Sequence, residues 1–321
     1  MENVKYSKVS GIATYLPEKV LTNDDLSKMV DTSNEWIVTR TGIEQRHIAS
    51  DDEYTYDLAY KSAIKSLEQE NLSAKSVDCI IVATTTPADK CPSTATKVQS
   101  MLGATNAFAF DIQAACSGFV YGLSIADSFI KTGKARNILL IGSETMSKVT
   151  DWSDRSTCVL FGDGAGSCIV SSTTNDEHKI IDTKLYSDGE RYDQIVIHNS
   201  LKNGGMGHMT MKGAEVFKSA IRCMSDSMLD ILRNNSMSID DVNWIVPHQA
   251  NARIIKSLCE LNGYPLDKTI ISLQKHANTS SATIPLAIDY GMQNGKIKKG
   301  DMLLITAMGA GLTWGSALVR L

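Results

Sequence analysis

Gly133-Lys-Ala-Arg-Asn-Ile-Leu-Leu-Ile141 returns later in the chain, with two residues inserted, as Gly295-Lys-Ile-Lys-Lys-Gly-Asp-Met-Leu-Leu-Ile305. Each copy runs from a glycine that suits a helix end, through polar residues, into an apolar stretch of strand length. Upstream, Leu72-Ser-Ala-Lys-Ser-Val-Asp-Cys-Ile-Ile-Val82 lines up with Met237-Ser-Ile-Asp-Asp-Val-Asn-Trp-Ile-Val-Pro247. Downstream, Phe161-Gly-Asp-Gly-Ala-Gly166 and Met308-Gly-Ala-Gly311 each lead into a closing strand. Three matches in one order indicate a duplicated unit; a single match would mean little.

Apolar runs between these landmarks predict strands at Cys79–Ala83, Phe108–Ile112, Ile138–Ile141 and Cys168–Ser171 in the first half. Their counterparts in the second are Trp244–Val246, Ile270–Leu273, Met302–Thr306 and Ser316–Val319. Amphipathic segments separate them, so the fold class is α/β, with halves at 1–172 and 173–321. The repeat also fixes a geometry. Cys116 precedes Gly133 by 17 residues (133 − 116) and Asn278 precedes Gly295 by 17 (295 − 278). The two should hold equivalent places, each where a strand ends and a helix begins, and the two helix N-termini should face a common centre.

The chain of 321 residues is 43% hydrophobic and 21% charged, enough for a large core in one or two globular domains. A net charge of -4 offers no basic field for a phosphate backbone, so nucleic acid is a poor partner and any anionic ligand must be met by local basic residues. The polar stretch Met1–Ser10 has no apolar signal-peptide segment. No window approaches the roughly 20 apolar residues that span a bilayer. A cytoplasmic protein without membrane attachment is expected. The seven cysteines are scattered, with no CxxC pair or metal-ligand spacing, so no metal is expected and most should be buried and inert.

Cys116 differs from the other six. Small residues, Ala114-Ala115-Cys116-Ser117-Gly118, surround it at a strand-to-helix turn that leaves room for an acyl group. A helix N-terminus there would favour the thiolate. His248 ends the run Trp244-Ile-Val-Pro247, and Asn278 stands in Lys275-His-Ala-Asn-Thr-Ser280. Singly, each has a plain structural alternative: a small residue in a buried helix, a hydrogen-bonded histidine, an N-cap asparagine. The duplication, which sets Asn278 opposite Cys116, favours a shared site.

With these segments in place the sequence resembles, over nearly its whole length, the thiolase-fold condensing enzymes and among them the ketoacyl synthase III family. The resemblance is carried by Ala114-Ala-Cys-Ser-Gly-Phe119, Val246-Pro-His-Gln-Ala-Asn251 and Ala277-Asn-Thr-Ser-Ser-Ala282. Thr32-Ser-Asn-Glu-Trp-Ile-Val-Thr-Arg-Thr-Gly-Ile43, Phe161-Gly-Asp-Gly-Ala-Gly166 and Gly311-Leu-Thr-Trp-Gly-Ser-Ala-Leu-Val-Arg320 complete it. A Cys-His-Asn set separates this family from thiolases, which use a second cysteine, and from elongating synthases, which use two histidines.

The resemblance implies two halves packed as five α-β-α-β-α layers, a homodimer, and no cofactor. It implies that an acyl-CoA primer acylates Cys116 and that malonyl-acyl-carrier-protein then condenses with it by decarboxylation, initiating type II fatty-acid synthesis. His248 and Asn278 would hold the enolate oxygen, and the backbone N–H groups of Cys116 and Ala310 would form the oxyanion hole. Trp36, Arg40, Arg155 and Asn251 match CoA-binding positions, Phe217 and Met308 acyl-pocket positions, and Lys218, Arg253 and Lys256 a docking face for the acidic carrier. Two departures stand out. Glu260-Leu261 replaces a basic pair of that face, and Cys91, in Ala88-Asp-Lys-Cys-Pro-Ser93, stands where relatives place a phenylalanine reaching the partner's acyl pocket. The smaller side chain points to primers longer than acetyl. A condensing enzyme of secondary metabolism, a non-catalytic acyl-binding subunit and a thiol hydrolase remain rival readings.

Overall fold

The protein is described by a computed structural model over residues 5–198 and 207–321, so part of the polar stretch Met1–Ser10 lies outside the described residues. Five strands form the first sheet: β1 (Tyr6–Tyr15), β2 (Cys79–Ala83), β3 (Phe108–Ile112), β4 (Asn137–Thr145) and β5 (Asp163–Thr173). Their order is β1-β5-β4-β2-β3, with β2 parallel to both neighbours and β5 antiparallel to β4 and β1. Four strands form the second: β6 (Lys179–Ser187), β7 (Trp244–Pro247), β8 (Met302–Gly309) and β9 (Thr313–Arg320), in the order β7-β8-β9-β6. Here β7 and β8 are parallel while β9 is antiparallel to both its neighbours. The second sheet thus repeats the order β1-β5-β4-β2 of the first, and the chain passes between them after Thr173.

The predicted strand Ile270–Leu273 is corrected. Its start pairs only through the Ile270 N–H, which donates to the Ile245 carbonyl at 2.9 Å beside a parallel bridge between Thr269 and Ile245, and Leu273–His276 turns into a short helix. The cause is a side chain. The Gln249 carboxamide donates to the Ile270 carbonyl at 3.0 Å and accepts from the Ser272 N–H at 2.9 Å, meeting backbone groups that a strand would otherwise pair.

Helices α1 (Asn34–Thr41), α2 (Thr55–Gln69), α3 (Thr94–Leu102), α4 (Gly118–Lys131), α5 (Gly213–Asn234), α6 (Ala252–Asn262) and α7 (Thr283–Gln293) complete the frame. α2 and α3 cover the outer face of the first sheet and α5, with α6 packed on it, the outer face of the second; α4 and α7 lie between the sheets. This gives the expected five layers of a thiolase-like α/β fold. Local sequence explains the placement. β2 reads Cys-Ile-Ile-Val-Ala and is buried throughout, as suits a strand paired on both edges and covered on both faces. α4 buries residues around much of its circumference, from Gly118 and Phe119 to Ala126 and Ile130, whereas α5 buries one stripe from Val216 to Leu232.

The internal symmetry extends to its punctuation. Ala115 and Ala277, 162 positions apart (277 − 115), both take positive φ, at 46° and 56°; Gly133 and Gly295, the same distance apart, do so at 71° and 67°. Cys116 and Asn278 keep that separation. The regular helices start later than the sequence suggests, α4 after a 3-10 turn over Ala115–Ser117 and α7 after one over Ser280–Ala282. At Gly142 on β4 an added Cβ would lie 2.5 Å from the Ser281 carbonyl oxygen, so glycine there lets the first sheet approach the turn that carries Asn278 and Ser280.

Candidate active site

Three chain segments converge on one cavity of about 620 Å³. Cys116, His248, Asn278, Ser280 and Ala310 line it, and Trp36, Arg40, Asn251, Arg253 and Lys218 also contribute to its wall. His248 and Asn278 are buried, 5% and 6% exposed, while Cys116 is partly open. Five of the other cysteines are buried, as expected, and Cys91 is exposed.

Hydrogen bonds orient each group. The Ser280 N–H donates to Asn278 Oδ1 at 2.9 Å, which leaves the Asn278 amide nitrogen as the group free to face the cavity. His248 Nδ1 lies 2.6 Å from Thr283 Oγ1, and that hydroxyl also lies 3.0 Å from the Ser280 carbonyl. The contact to the carbonyl requires Thr283 to donate there, so its one proton is contested: given to the carbonyl it makes Nδ1 the donor, and turned to Nδ1 it leaves the ring proton on Nε2. Burial pushes His248 down to about 3, so the ring is neutral. An added Cβ on Gly309 would sit 2.6 Å from the Cys116 backbone nitrogen, so only glycine permits β8 to pass beside the strand-to-helix turn.

One expectation is reversed. Burial is the largest influence on Cys116 and pushes the thiol up to about 12; the charge of Glu144 adds to the rise, while the Cys116 backbone N–H opposes it. The helix start alone does not make a resting thiolate. Sequence reasoning weighed the helix terminus and could not see the depth of the sulfur.

On the same wall, Ser33 caps α1 by accepting from the Trp36 N–H, and the one-turn spacing of Trp36 and Arg40 puts them on one face. The Arg40 and Arg155 guanidinium carbons lie 4.9 and 5.0 Å from the Trp36 ring centroid. Arg155 also donates to the Asp31 carbonyl at 2.8 Å and is not part of the cavity wall. Asn251 caps α6, accepting from the Arg253 N–H at 2.8 Å. Phe217 and Met308 line the cavity; Cys91 does not line the cavity of a single chain. Lys256 does not line it either and lies 3.8 Å from Glu260, the acid that interrupts the basic face.

Sequence reasoning missed several residues. Met146, Phe161, Ile195, Met209 and Met211 add an apolar wall, drawn mostly from segments without a recognisable motif. Glu144, Ser280 and Thr283 form the polar support. A glutamate closing the apolar run Ile138-Leu-Leu-Ile-Gly-Ser-Glu144 was the available signal for the first. Among the described residues no group of three or more His, Cys, Asp or Glu could hold a metal ion, and no helix is long and apolar enough to cross a membrane.

Two half-units with opposed helix starts over a cavity that contains a cysteine place the chain in the class of thiolase-fold condensing enzymes. Residues 110–189 match the family described as 3-Oxoacyl-[acyl-carrier-protein (ACP)] synthase III, and residues 232–321 match its C-terminal part. The chain is 52% identical over 319 residues to the beta-ketoacyl-[acyl-carrier-protein] synthase III of Ehrlichia canis (strain Jake), covering 99% of this chain and 100% of that protein. It is 50% identical over 314 residues to that of Rickettsia felis, covering 98% and 99%. The crystal structure of 3-oxoacyl-[acyl-carrier-protein] synthase III from Aquifex aeolicus VF5 superposes with a TM-score of 0.94 at 47% identity, covering 98% and 100%. The chain belongs to the beta-ketoacyl-acyl-carrier-protein synthase III family: it is a condensing acyltransferase of fatty-acid biosynthesis.

Proposed function

We propose that Cys116 takes an acyl group from acyl-CoA and passes it to the carbanion made by decarboxylation of malonyl-acyl-carrier-protein. In the first half-reaction Sγ attacks the thioester carbon, the CoA sulfur leaves, and the thiol proton goes to it. In the second, carbon dioxide departs from the malonyl group and the enolate oxygen is held by Asn278 Nδ2–H and by His248 Nε2–H. Two neutral donors suit this task because neither brings a negative charge to meet the one that develops. The carbanion attacks the acyl carbon, the N–H groups of Cys116 and Ala310 take the oxyanion, and collapse returns Cys116 with a 3-oxoacyl product on the carrier.

The observation that supports this reading best is the shared cavity: Cys116, His248 and Asn278 line one space of about 620 Å³ whose wall also includes Trp36 and Arg40. Trp36, Arg40, Arg155 and Asn251 are proposed to receive the CoA nucleotide, the guanidinium groups pairing with its phosphates. Lys218 and Arg253 are the better carrier contacts, since Lys256 is partly neutralised by Glu260. No cofactor enters the scheme.

We further infer a cytoplasmic homodimer, with the division at 1–172 and 173–321 as the duplicated unit. β3 is an edge strand whose residues are partly exposed, and Phe108, Phe110 and Phe129 stack beside it with centroids 5.9–6.4 Å apart. Such an apolar edge suits pairing with a second copy. Cys91 from that copy, with Phe217, Met308 and the methionines of the apolar wall, would then admit primers longer than acetyl. Condensation rates across a series of straight-chain acyl-CoAs with malonyl-acyl-carrier-protein test this. A broad profile is expected; a steep preference for acetyl would remove the wide pocket, and absence of any 3-oxoacyl product would remove the reaction.

A further inference from the structure

Glu144 takes no part in the chemistry above, yet it is fully buried at the end of β4. Its carboxylate accepts from the hydroxyls of Thr84 at 3.1 Å, Thr85 at 3.1 Å and Thr86 at 2.6 Å, and from the N–H groups of Thr85 at 3.0 Å and Thr86 at 3.1 Å. The hydroxyls of Ser280, at 2.9 Å, and Ser281, at 3.0 Å, complete the set. All of these partners are neutral donors, which meet the lone pairs of the buried carboxylate.

Ser280 connects this acid to all three residues of the reacting centre. Its N–H meets Asn278, its carbonyl lies beside the Thr283 hydroxyl that touches His248, and its own hydroxyl lies 3.6 Å from Cys116 Sγ. Its φ of 50° lies in the left-handed region, where a serine is seldom found without a reason. A hydroxyl carries one proton. With that proton given to Glu144, Ser280 has only lone pairs to offer the sulfur, so Cys116 must be the donor. Were the proton free, Ser280 could turn and donate to a thiolate instead.

We propose that Glu144 is a positioning residue acting through Ser280: by claiming the Ser280 proton it holds the resting Cys116 as a thiol directed at that hydroxyl, with the proton leaving only when an acyl donor arrives. This rests on the reading of Cys116 as the nucleophile. The other titratable groups of the cavity wall are His248, which is neutral, and the basic Arg40, Lys218 and Arg253; Glu144 is the acid whose charge acts on the sulfur.

The test is the rate at which iodoacetamide alkylates Cys116 from neutral to alkaline pH, followed by peptide mass spectrometry in the full-length protein, in Glu144→Gln and in Ser280→Ala. Glu144→Gln should react about tenfold faster at a fixed pH near neutrality, with its profile displaced to lower pH, tenfold being about one pH unit. Ser280→Ala should react roughly threefold faster than the parent, since it loses the lone pair that accepts from and holds the Cys116 thiol. A purely structural role predicts that neither folded variant shifts its profile. A folded Glu144→Gln with an unmoved profile, or a Ser280→Ala that slows down, overturns the proposal. If Glu144→Gln does not unfold cooperatively, an unchanged rate in Ser280→Ala overturns it alone. Failure of the parent protein to take acyl groups on Cys116 would sink the nucleophile reading, whereas normal acylation with unmoved profiles would sink this one only.

Discussion

Replacing Asn278 by aspartate separates the two half-reactions with the least disturbance to the fold. The new side chain has the same shape, and its carboxylate still accepts the Ser280 N–H that now meets Oδ1 at 2.9 Å. What changes is the atom facing the cavity, from a donor to an anion. Loss of one donor to a developing oxyanion costs about 3–4 kcal/mol, or about 10²–10³ in rate. Repulsion between unit charges about 4 Å apart in a partly shielded site adds up to about 4 kcal/mol. Decarboxylation of malonyl-acyl-carrier-protein, measured as carbon dioxide release, should therefore fall by at least about 10³-fold. Acylation of Cys116 by acyl-CoA, measured by intact mass, should stay within a few-fold of the parent. Burial also favours the neutral acid, so decarboxylation should recover partly as the pH is lowered. Decarboxylation within about tenfold of the parent, or equal loss of both half-reactions, would refute the assignment of Asn278 to the enolate.

Gly309→Ala should damage both half-reactions, because the new Cβ would meet the Cys116 nitrogen at 2.6 Å and displace an oxyanion donor; a loss of about 10²-fold in acylation is expected in stopped-flow assays. Thr283→Val removes the hydroxyl that sets the His248 tautomer, so carbon dioxide release should drop about tenfold or more with acylation little changed, in line with general losses on removing a polar support. Acidification should destabilise the fold through His248. Its folded value, about 3, is below the ordinary 6.5, so the unfolded chain binds the proton first; this contribution is complete above about pH 6.5 and is lost as the pH falls toward 3. At pH 5 the loss is about 2 kcal/mol, readable as a lower urea midpoint that His248→Gln should blunt.

Much of the architecture was legible because the repeated segments carry their own boundaries. The glycines at 133 and 295 follow the ends of α4 and α7, and the runs Cys79–Ala83 and Phe108–Ile112 are strands to the residue. Ile270–Leu273 misled because its backbone partner is the distant Gln249 side chain, which no local pattern announces. The cavity residues with motifs were found and most of those without were not. Cys116, His248 and Asn278 sit in short, distinctive segments, whereas the methionine wall and the acid behind Ser280 are defined only by how the sheets pack. The burial that opposes a thiolate at Cys116 was out of reach for the same reason: a helix start is visible in sequence and packing around the sulfur is not.

The proposed reaction requires Cys116 Sγ to carry the acyl group between the two substrates, and the rest of the proposed chemistry follows from that. Intact-protein and peptide mass spectrometry after incubation with an acyl-CoA, followed by a chase with malonyl-acyl-carrier-protein, tests it directly. One acyl group should appear on the peptide bearing Cys116, vanish during the chase as 3-oxoacyl-carrier forms, and be absent in Cys116→Ala. Acylation of another residue, or an acyl-Cys116 that the chase releases as free acid, would contradict the account.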